Sequence, residues 1–492
     1  MNSYVLSIDA GTTGITVIVI NQNLSICKKY YKEFTQIYPQ PGWVEHDPKE
    51  IWESTLELIL SAFKDFSIKH FISIGITNQR ETSIIWNRHT GIPIYNAIVW
   101  QCSRTEKICS ELIDAGHEAI IKDKTGLMIS SYFSGSKIKW LLDNVPSARK
   151  DSNTDQLIFG TIDTWLIWNL TSGNVHATDY TNASRTMIFN IDNKEWDKDL
   201  LLMLDIPQNI LPEVKTSIGY FGKTDKKILK NEIPITGVAG DQQASLFGHS
   251  CFNQGDTKCT YGTGCFLMTN TGNKRIDSST GLITTIACNL DGSPSYALEG
   301  SVFIGGAVIQ WLRDELNILA NASDSEKIAL QVKSSEGVII VPAFTGLGAP
   351  YWNMNAKGLI TGISRGTNRS HIIRAALESI AYQVSDLSFS ISKDLNRDIN
   401  HLKVDGGASA NNFLMQFQSN ILNTEIHRPR NIESTSLGAG LLSGLGSKLW
   451  DNPFEIIKDQ QNSRIFKSNI SDQRRLEYLQ KWKNAINKVQ MN

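Results

Sequence analysis

The sequence predicts an α/β protein built of two related halves, and three observations carry that prediction. Strand-like and helix-like segments alternate along both halves of the chain. A β-branched strand running into a Gly/Thr turn opens the chain, and a related unit recurs about half a chain later. The 492 residues, 41% hydrophobic and 20% charged, supply more than one core at roughly 150 residues per domain. The expected architecture is two α/β domains, 1–250 and 251–492, meeting at a short hinge near residue 250 with a ligand cleft between them.

The first element, Tyr4-Val-Leu-Ser-Ile-Asp9, ends at Ala10-Gly11-Thr12-Thr13-Gly14, and Ile15-Thr-Val-Ile-Val-Ile20 then resumes the strand pattern, which predicts a hairpin. Asp47-Pro48-Lys49-Glu50 has Asp at the N-cap, Pro at the first helical position and Glu at the third, the pattern of a capping box. Ile51, Thr55, Leu58, Ile59, Ala62 and Phe63 follow at helical spacing. Phe71-Ile-Ser-Ile-Gly-Ile-Thr77 reads as a buried strand delivering Asn78-Gln79-Arg80-Glu81-Thr82 at its C-terminal end, where open α/β sheets bind ligands. The strand Ile233 to Val238 leads likewise to Ala239-Gly240-Asp241-Gln242-Gln243. In the second half Asp256 to Tyr261, Gly262-Thr263-Gly264 and Cys265 to Met268 form the second hairpin unit. A strand over Gly337 to Val341, a helix through His371 to Ala381 and a strand over Leu402 to Asp405 continue the alternation. Gly406-Gly407 then turn the chain into a helix carrying Asn411, Asn412, Phe413, Leu414, Phe417 and Ile421, and the stretch from about residue 452 has charged helical character.

Composition excludes several partners. Lys plus Arg number 48 against 49 Asp plus Glu, a net charge of −1, so no broad basic field serves nucleic acid or an anionic membrane. Cys27, Cys102, Cys109, Cys251, Cys259, Cys265 and Cys288 show no CxxC and no His spacing, which argues for reduced thiols over disulfides or a thiolate metal site. The start lacks a basic signal-peptide region, and no apolar run reaches the length of a membrane span, so the cytoplasm is expected.

Two motifs are decoys. Ser217 to Thr224 nearly fits a phosphate-binding loop, but Ser stands at the first Gly position and no apolar strand precedes it, so a surface turn is expected. Gly438-Ala-Gly440-Leu-Leu-Ser443 resembles a dinucleotide fingerprint begun inside an apolar helix, and reads as close helix packing. The Gly/Thr turns carry more. Their small residues let backbone N–H groups approach a phosphate, and Thr12, Thr13 and Thr263 add hydroxyls. A single such turn is more often a plain hairpin; two copies, one preceded by Asp9, point to a nucleotide clamp with Mg²⁺ held beside it through water. The Val404-Asp-Gly-Gly407 turn leaves bare backbone for a base or ribose, or is a βα turn that merely needs Gly. Asp241 reads either as a helix N-cap or as a base that accepts the proton of an attacking hydroxyl. Arg80-Glu81 reads as a solvated charge pair or as a donor and acceptor for a polyol.

Taken together, these segments resemble the FGGY carbohydrate kinases over nearly the whole chain, from Ile8-Asp-Ala-Gly-Thr-Thr13 to about residue 450, and most closely the members that phosphorylate glycerol. The specific stretches are Tyr38-Pro-x-Pro-Gly-Trp-Val-Glu-His-Asp-Pro48, Gly75 to Thr82, Asn96-Ala-Ile-Val-Trp-Gln101, Asp179-Tyr-Thr-Asn-Ala-Ser-Arg-Thr186, Gly240 to Gln243, Tyr261 to Phe266, Pro342 to Trp352 and Val404 to Ala408. The family signature appears at Tyr132-Phe-Ser-Gly-Ser-Lys137-Ile-Lys-Trp140 and around Gly358 to Arg365.

The resemblance implies a duplicated actin-like, ribonuclease H-like ATPase fold with an interdomain cleft. It implies an ATP:glycerol 3-phosphotransferase, the first step of glycerol catabolism; a kinase for another polyol or ketose is the alternative, against which the Asn78 to Thr82 segment speaks. Arg80, Glu81, Tyr132, Asp241 and Gln242 would bind glycerol's hydroxyls, and Trp100 and Phe266 would cover its carbon face. Thr12, Thr13, Gly14, Thr263, Gly306, Gln310, Gly407 and Asn411 would hold ATP or ADP. Asp9 and Asp241 would serve Mg²⁺, with Asp241 also the base, and the family suggests a homo-oligomer. Departures are plain: Gly14-Ile15-Thr16 stands where many members have Ser-Ser-Arg, and Tyr220 to Glu232 lacks both the Gly-rich loop and Arg for fructose 1,6-bisphosphate and the phosphorylatable His of others.

Overall fold

The computed structural model describes residues 3–450, 457 and 463–491. It divides into two compact units, Met1–Phe252 with Thr284–Tyr296 and Ser434–Asp459, and Asn253–Ile283 with Ala297–Glu433 and Gln460–Asn492.

The first unit is built on a five-stranded sheet in the order Ile235–Gly240, Phe71–Asn78, Tyr4–Ala10, Gly14–Asn21, Ile26–Glu33. The opening hairpin is antiparallel with Asp9 opposite Thr16, and Phe71–Asn78 and Ile235–Gly240 run parallel to the first strand. Side chains of a strand alternate between faces, and the two faces are covered separately. Leu6, Ile8, Val17 and Val19 pack with Ile51, Leu58 and Ile59 of the helix Pro48–Asp65. Val5, Ile18 and Ile20 pack with Leu437, Leu441 and Leu442 of the helix Ser434–Gly446. That helix lies close because it lacks side chains where it touches: a Cβ on Gly438 would meet the Ala244 carbonyl and one on Gly440 the Ile20 side chain. The Gly438 to Ser443 run is therefore close packing, as its sequence context indicates.

Two details depart from expectation. Asp47 caps the helix by accepting from the Lys49 N–H at 2.8 Å, but Glu50 does not close a capping box. Its carboxylate is taken by the N–H and hydroxyl of Thr35 at 3.0 and 3.1 Å, which ties the end of the third strand to the helix. The Ser217 to Thr224 segment is a surface turn only in part: Tyr220 and Lys223 are exposed, but Ser217, Phe221 and Thr224 are buried, and the Ser217 hydroxyl donates to Asp179 at 2.7 Å.

The second unit centres on a sheet that repeats the order of the first. Thr257–Tyr261 pairs antiparallel with Cys265–Gly272 and parallel with His401–Asp405, which pairs parallel with Glu425–Pro429. Beside Cys265–Gly272 the sheet continues through residues 297–302, and at its other side it ends at Ser463–Phe466. A hairpin followed by two parallel strands in each unit is the duplication that the paired turns predict. The strand expected over Gly337 to Val341 is confined to Ile339–Val341, since Gly337 turns at φ 89°. The helix Arg369–Leu395 is capped reciprocally by Asn368 and His371 and buries its apolar face in the core. The C-terminal helix Asp472–Gln490 docks through Trp482, stacked on Tyr382 and donating to the half-buried Asp386 at 2.7 Å. Residues 452–456 and 458–462 of the charged C-terminal stretch lie outside the described residues.

Candidate functional site

In the first unit the strand Phe71–Asn78 delivers Arg80 and Glu81 as the sequence predicts, but the pair is buried, each 2% exposed. Glu81 sits in the left-handed region at φ 63°, a conformation that costs a non-glycine residue about 1–3 kcal/mol. It is held from both ends. Its carbonyl accepts from the hydroxyls of Ser83 and Ser134, both at 3.0 Å, and its carboxylate accepts from Arg185 Nε at 2.6 Å.

Arg80 is the hub. Its guanidinium donates to Gln243 Oε1 at 3.1 Å and to the Tyr132 hydroxyl at 3.5 Å, and its Nε lies 3.3 Å from Asp241 Oδ1. Gly240 makes room for it, because a Cβ there would strike the Arg80 stem. Asp241 is the first residue of the helix Asp241–Gly248, with Gly240 as N-cap, so its carboxylate is not the cap but a first-turn anion favoured by the helix dipole. It accepts from the Gln242 N–H at 2.7 Å and is 26% exposed, the most accessible charge of the cluster. Gln242 is buried beside it. Two cations and a carboxylate buried together, with Asp241 partly exposed beside them, are poor stability devices, since each buried ion loses several kcal/mol of hydration, roughly, that pairing only partly restores. Strain at Glu81 and burial of three charges, Arg80, Glu81 and Arg185, are what a working site retains.

The aromatic and turn residues of this unit lie beside the C-terminal ends of the strands Tyr4–Ala10 and Phe71–Asn78. Trp100 stands edge-on to Tyr132 with ring centroids 5.6 Å apart, and its Nε1 donates to Thr12 Oγ1 at 3.0 Å. The first turn is braced from behind: Gln36 and Gln79 donate to the carbonyls of Thr12 and Gly11 at 3.1 and 3.2 Å, and the buried His46 ring links the two glutamines. Burial pushes the His46 pKa down to about 4, so the ring is neutral, with Nε2–H donating to Gln36 and Nδ1 accepting from Gln79. Thr13 is exposed at the turn, and Gly14 is buried where a Cβ would press on the Lys32 carbonyl. Asp9 is half-buried near its strand's end and accepts from the Ser436 hydroxyl at 3.0 Å. Thr16 lies within the sheet, paired with Asp9 and Tyr31.

The second unit carries a cavity of about 510 Å³ between the Gly/Thr turn and the Gly407 turn. Thr263, Gly306, Gln310, Gly407 and Asn411 all line it, together with the apolar Ile309, Leu377 and Ile380. Gly305 and Gly306 pack directly on the turn, their N–H groups donating to the carbonyls of Thr263 and Gly262 at 2.8 Å. Gly406 turns at φ 82° against the Tyr261 backbone, whereas a Cβ on Gly407 would project into open space on the cavity wall. Asn411 caps the helix Asn412–Leu422 through its Oδ1, and its amide donates to Ser325 Oγ at 3.3 Å. Phe266, grouped with the first unit's aromatic residues by resemblance, is a half-buried residue of the second unit's strand Cys265–Gly272.

Arg185, Gln243 and Glu326 are not legible as site residues from the sequence. Arg185 stands among small polar residues in the Asp179 to Thr186 stretch, and only the fold brings it to Glu81. Glu326, on the cavity wall, accepts from the Asn412 N–H at 2.8 Å across 86 residues.

Comparison with known proteins adds the following. Models of the FGGY family of carbohydrate kinases match residues 4–248 as the N-terminal domain and residues 257–446 as the C-terminal domain. A glycerol kinase of Caldanaerobacter subterraneus subsp. tengcongensis is 54% identical over 491 residues, covering 99% of each chain. One from Clostridium botulinum (strain 657 / Type Ba4) is 53% identical with the same coverage. The crystal structure of Plasmodium falciparum glycerol kinase with ADP superposes with a TM-score of 0.91 at 38% identity, covering 99% of this chain and 98% of that one. A gluconate kinase from Lactobacillus acidophilus, 23% identical with a TM-score of 0.87, shares the fold.

Proposed function

Because the chain belongs to the FGGY family of carbohydrate kinases, we propose that it transfers the γ-phosphoryl group of ATP to glycerol, giving sn-glycerol 3-phosphate and ADP. The observation that supports this reading most is the cluster of buried Arg80, Glu81, Arg185 and Tyr132 around the partly exposed Asp241. Glycerol offers three hydroxyls and little apolar surface, so its recognition rests on hydrogen bonds. A site built to pair hydroxyls rejects an analogue lacking one by about 10⁴ or more, because its own buried polar groups go unsatisfied.

In this reading Arg80 and Tyr132 donate to the polyol, Glu81 and Gln242 accept from it, and Trp100 and Phe266 cover its carbons. Asp241, the most exposed carboxylate of the cluster, holds the hydroxyl that attacks. That oxygen bonds to the γ-phosphorus as the bond to the β-bridging oxygen breaks, its proton passes to the Asp241 carboxylate, and ADP leaves. The transition state of such transfers is loose, so orienting the hydroxyl matters as much as taking its proton. Thr12, Thr13, Gly14 and Thr263 are assigned to the phosphates, and Gly306, Gln310, Gly407 and Asn411 to the adenosine, for which the open space beside Gly407 is suited.

The residues present suit Mg²⁺ arriving with the nucleotide. Asp9 lies near the end of its strand and Asp241 just beyond the end of a strand one removed in the same sheet, and no cage of three or more acidic, His or Cys ligands exists among the described residues. Asp9 and Asp241 would hold Mg²⁺, and the ion would supply charge neutralisation for the phosphates. No helix among the described residues is long and apolar enough to cross a membrane, and the seven cysteines are free, which supports a place in the reducing cytoplasm.

A coupled ADP-release assay with Mg-ATP across glycerol, other polyols and ketoses, with and without fructose 1,6-bisphosphate, tests the substrate. Glycerol is expected to give the highest kcat/KM, with no response to the bisphosphate. Activity on another polyol or ketose with none on glycerol would overturn the assignment.

A further inference from the structure

Lys137 is a buried cation, 0% exposed, in the first turn and a half of the helix Ser134–Asn144. Two general rules stand against it there. A cation near a helix N-terminus opposes the helix dipole, and a fully buried ammonium loses its hydration. Burial pushes its pKa down to about 8. What offsets these costs is a specific geometry: an ammonium has three donors and no acceptor, and here they meet three consecutive carbonyls. Nζ donates to Ser131 O at 2.6 Å, to Tyr132 O at 2.6 Å and to Phe133 O at 3.1 Å.

Three carbonyls aimed at one nitrogen fix three successive peptide planes. The middle residue is Tyr132, whose hydroxyl lies 3.5 Å from Arg80 Nη2 and whose ring meets Trp100. The same segment leads into Ser134, whose hydroxyl supports the strained Glu81 carbonyl. We infer that Lys137 is a positioning residue of the polyol site: by gathering the carbonyls of residues 131–133 it fixes the backbone that aims the Tyr132 hydroxyl at the substrate. The inference rests on the placement of Tyr132 in the polyol site.

The test is a double-mutant cycle on the full-length enzyme with Tyr132→Phe, Lys137→Met and the pair, reading KM for glycerol, KM for ATP and the melting temperature. Each single substitution is expected to raise the glycerol KM by about tenfold, the scale of a lost hydrogen bond, with the ATP KM unchanged. The pair is expected to do no worse than the more damaging single, because Lys137 acts through Tyr132. Multiplying effects in the pair, a glycerol KM untouched by Lys137→Met, or equal losses for both substrates would overturn the inference. Should Lys137→Met fail to fold, Lys137→Arg decides, since a planar guanidinium keeps the charge but cannot send three protons from one nitrogen to converging carbonyls. A raised glycerol KM at a retained melting temperature supports the inference, and an unchanged one overturns it. A glycerol KM unmoved by Tyr132→Phe would instead defeat the placement of Tyr132 itself.

Discussion

Arg80 reaches four polar or charged neighbours through one side chain: Gln243, Tyr132, Glu81 and Asp241 all lie within 3.7 Å of its nitrogens. Truncating it leaves the buried Glu81 and the partly exposed Asp241 each short of a donor, each charge-assisted bond being worth about 1.5–3 kcal/mol. Arg80→Ala is therefore expected to raise the glycerol KM by about 10² or more while the ATP KM changes little, in steady-state kinetics varied in each substrate. Equal glycerol affinity in the variant would remove Arg80 from the site. At this scale the sequence is readable where a residue's role follows from its place at a strand end, as for Arg80, Glu81 and Asp241. It is unreadable where a partner arrives from far along the chain: Arg185 reaches Glu81 from 104 residues away, and nothing local to either announces the other.

Elements show the same division. The opening hairpin, the strand Phe71–Asn78 and the helix after Pro48 follow from β-branched runs, turn residues and helical spacing. The capping box fails because Thr35, far from Glu50 in sequence, competes for its carboxylate. In the Ser217 to Thr224 segment Ser217 is buried with its hydroxyl bonded to Asp179, while Tyr220 and Lys223 stay exposed. Two predictions belong here. Gly407 has no close neighbour where its Cβ would stand, so Gly407→Val should leave the melting temperature intact yet raise the ATP KM by about tenfold or more through steric block of the cavity. An unchanged ATP KM would place the nucleotide elsewhere. The Gln36, His46, Gln79 brace behind the first turn makes the second prediction. The His46 pKa falls from 6.5 unfolded to about 4 folded, so its neutral form contributes stability that is present above pH 6.5 and is lost as pH falls through 4. Between pH 7.5 and pH 5 the wild type should lose more melting temperature than His46→Gln, and parallel losses would contradict this.

At the scale of the whole molecule, the duplication was visible in two Gly/Thr turns half a chain apart, and the structure gives each unit a hairpin followed by two parallel strands. Less visible is the path of the chain, which returns Ser434–Asp459 to the first unit. The only local hint is the glycine spacing of that helix, which speaks of close packing but not of its partner. A neutral net charge likewise says nothing of an anionic substrate, because phosphates here are assigned to backbone turns and Mg²⁺ in place of a basic surface. The central claim is that Asp241 accepts the proton of a glycerol hydroxyl during phosphoryl transfer, and the turnover of Asp241→Asn with saturating glycerol and Mg-ATP tests it most directly. The account predicts a kcat lower by about 10³-fold or more, with an unchanged melting temperature. A kcat within about tenfold of wild type would contradict it.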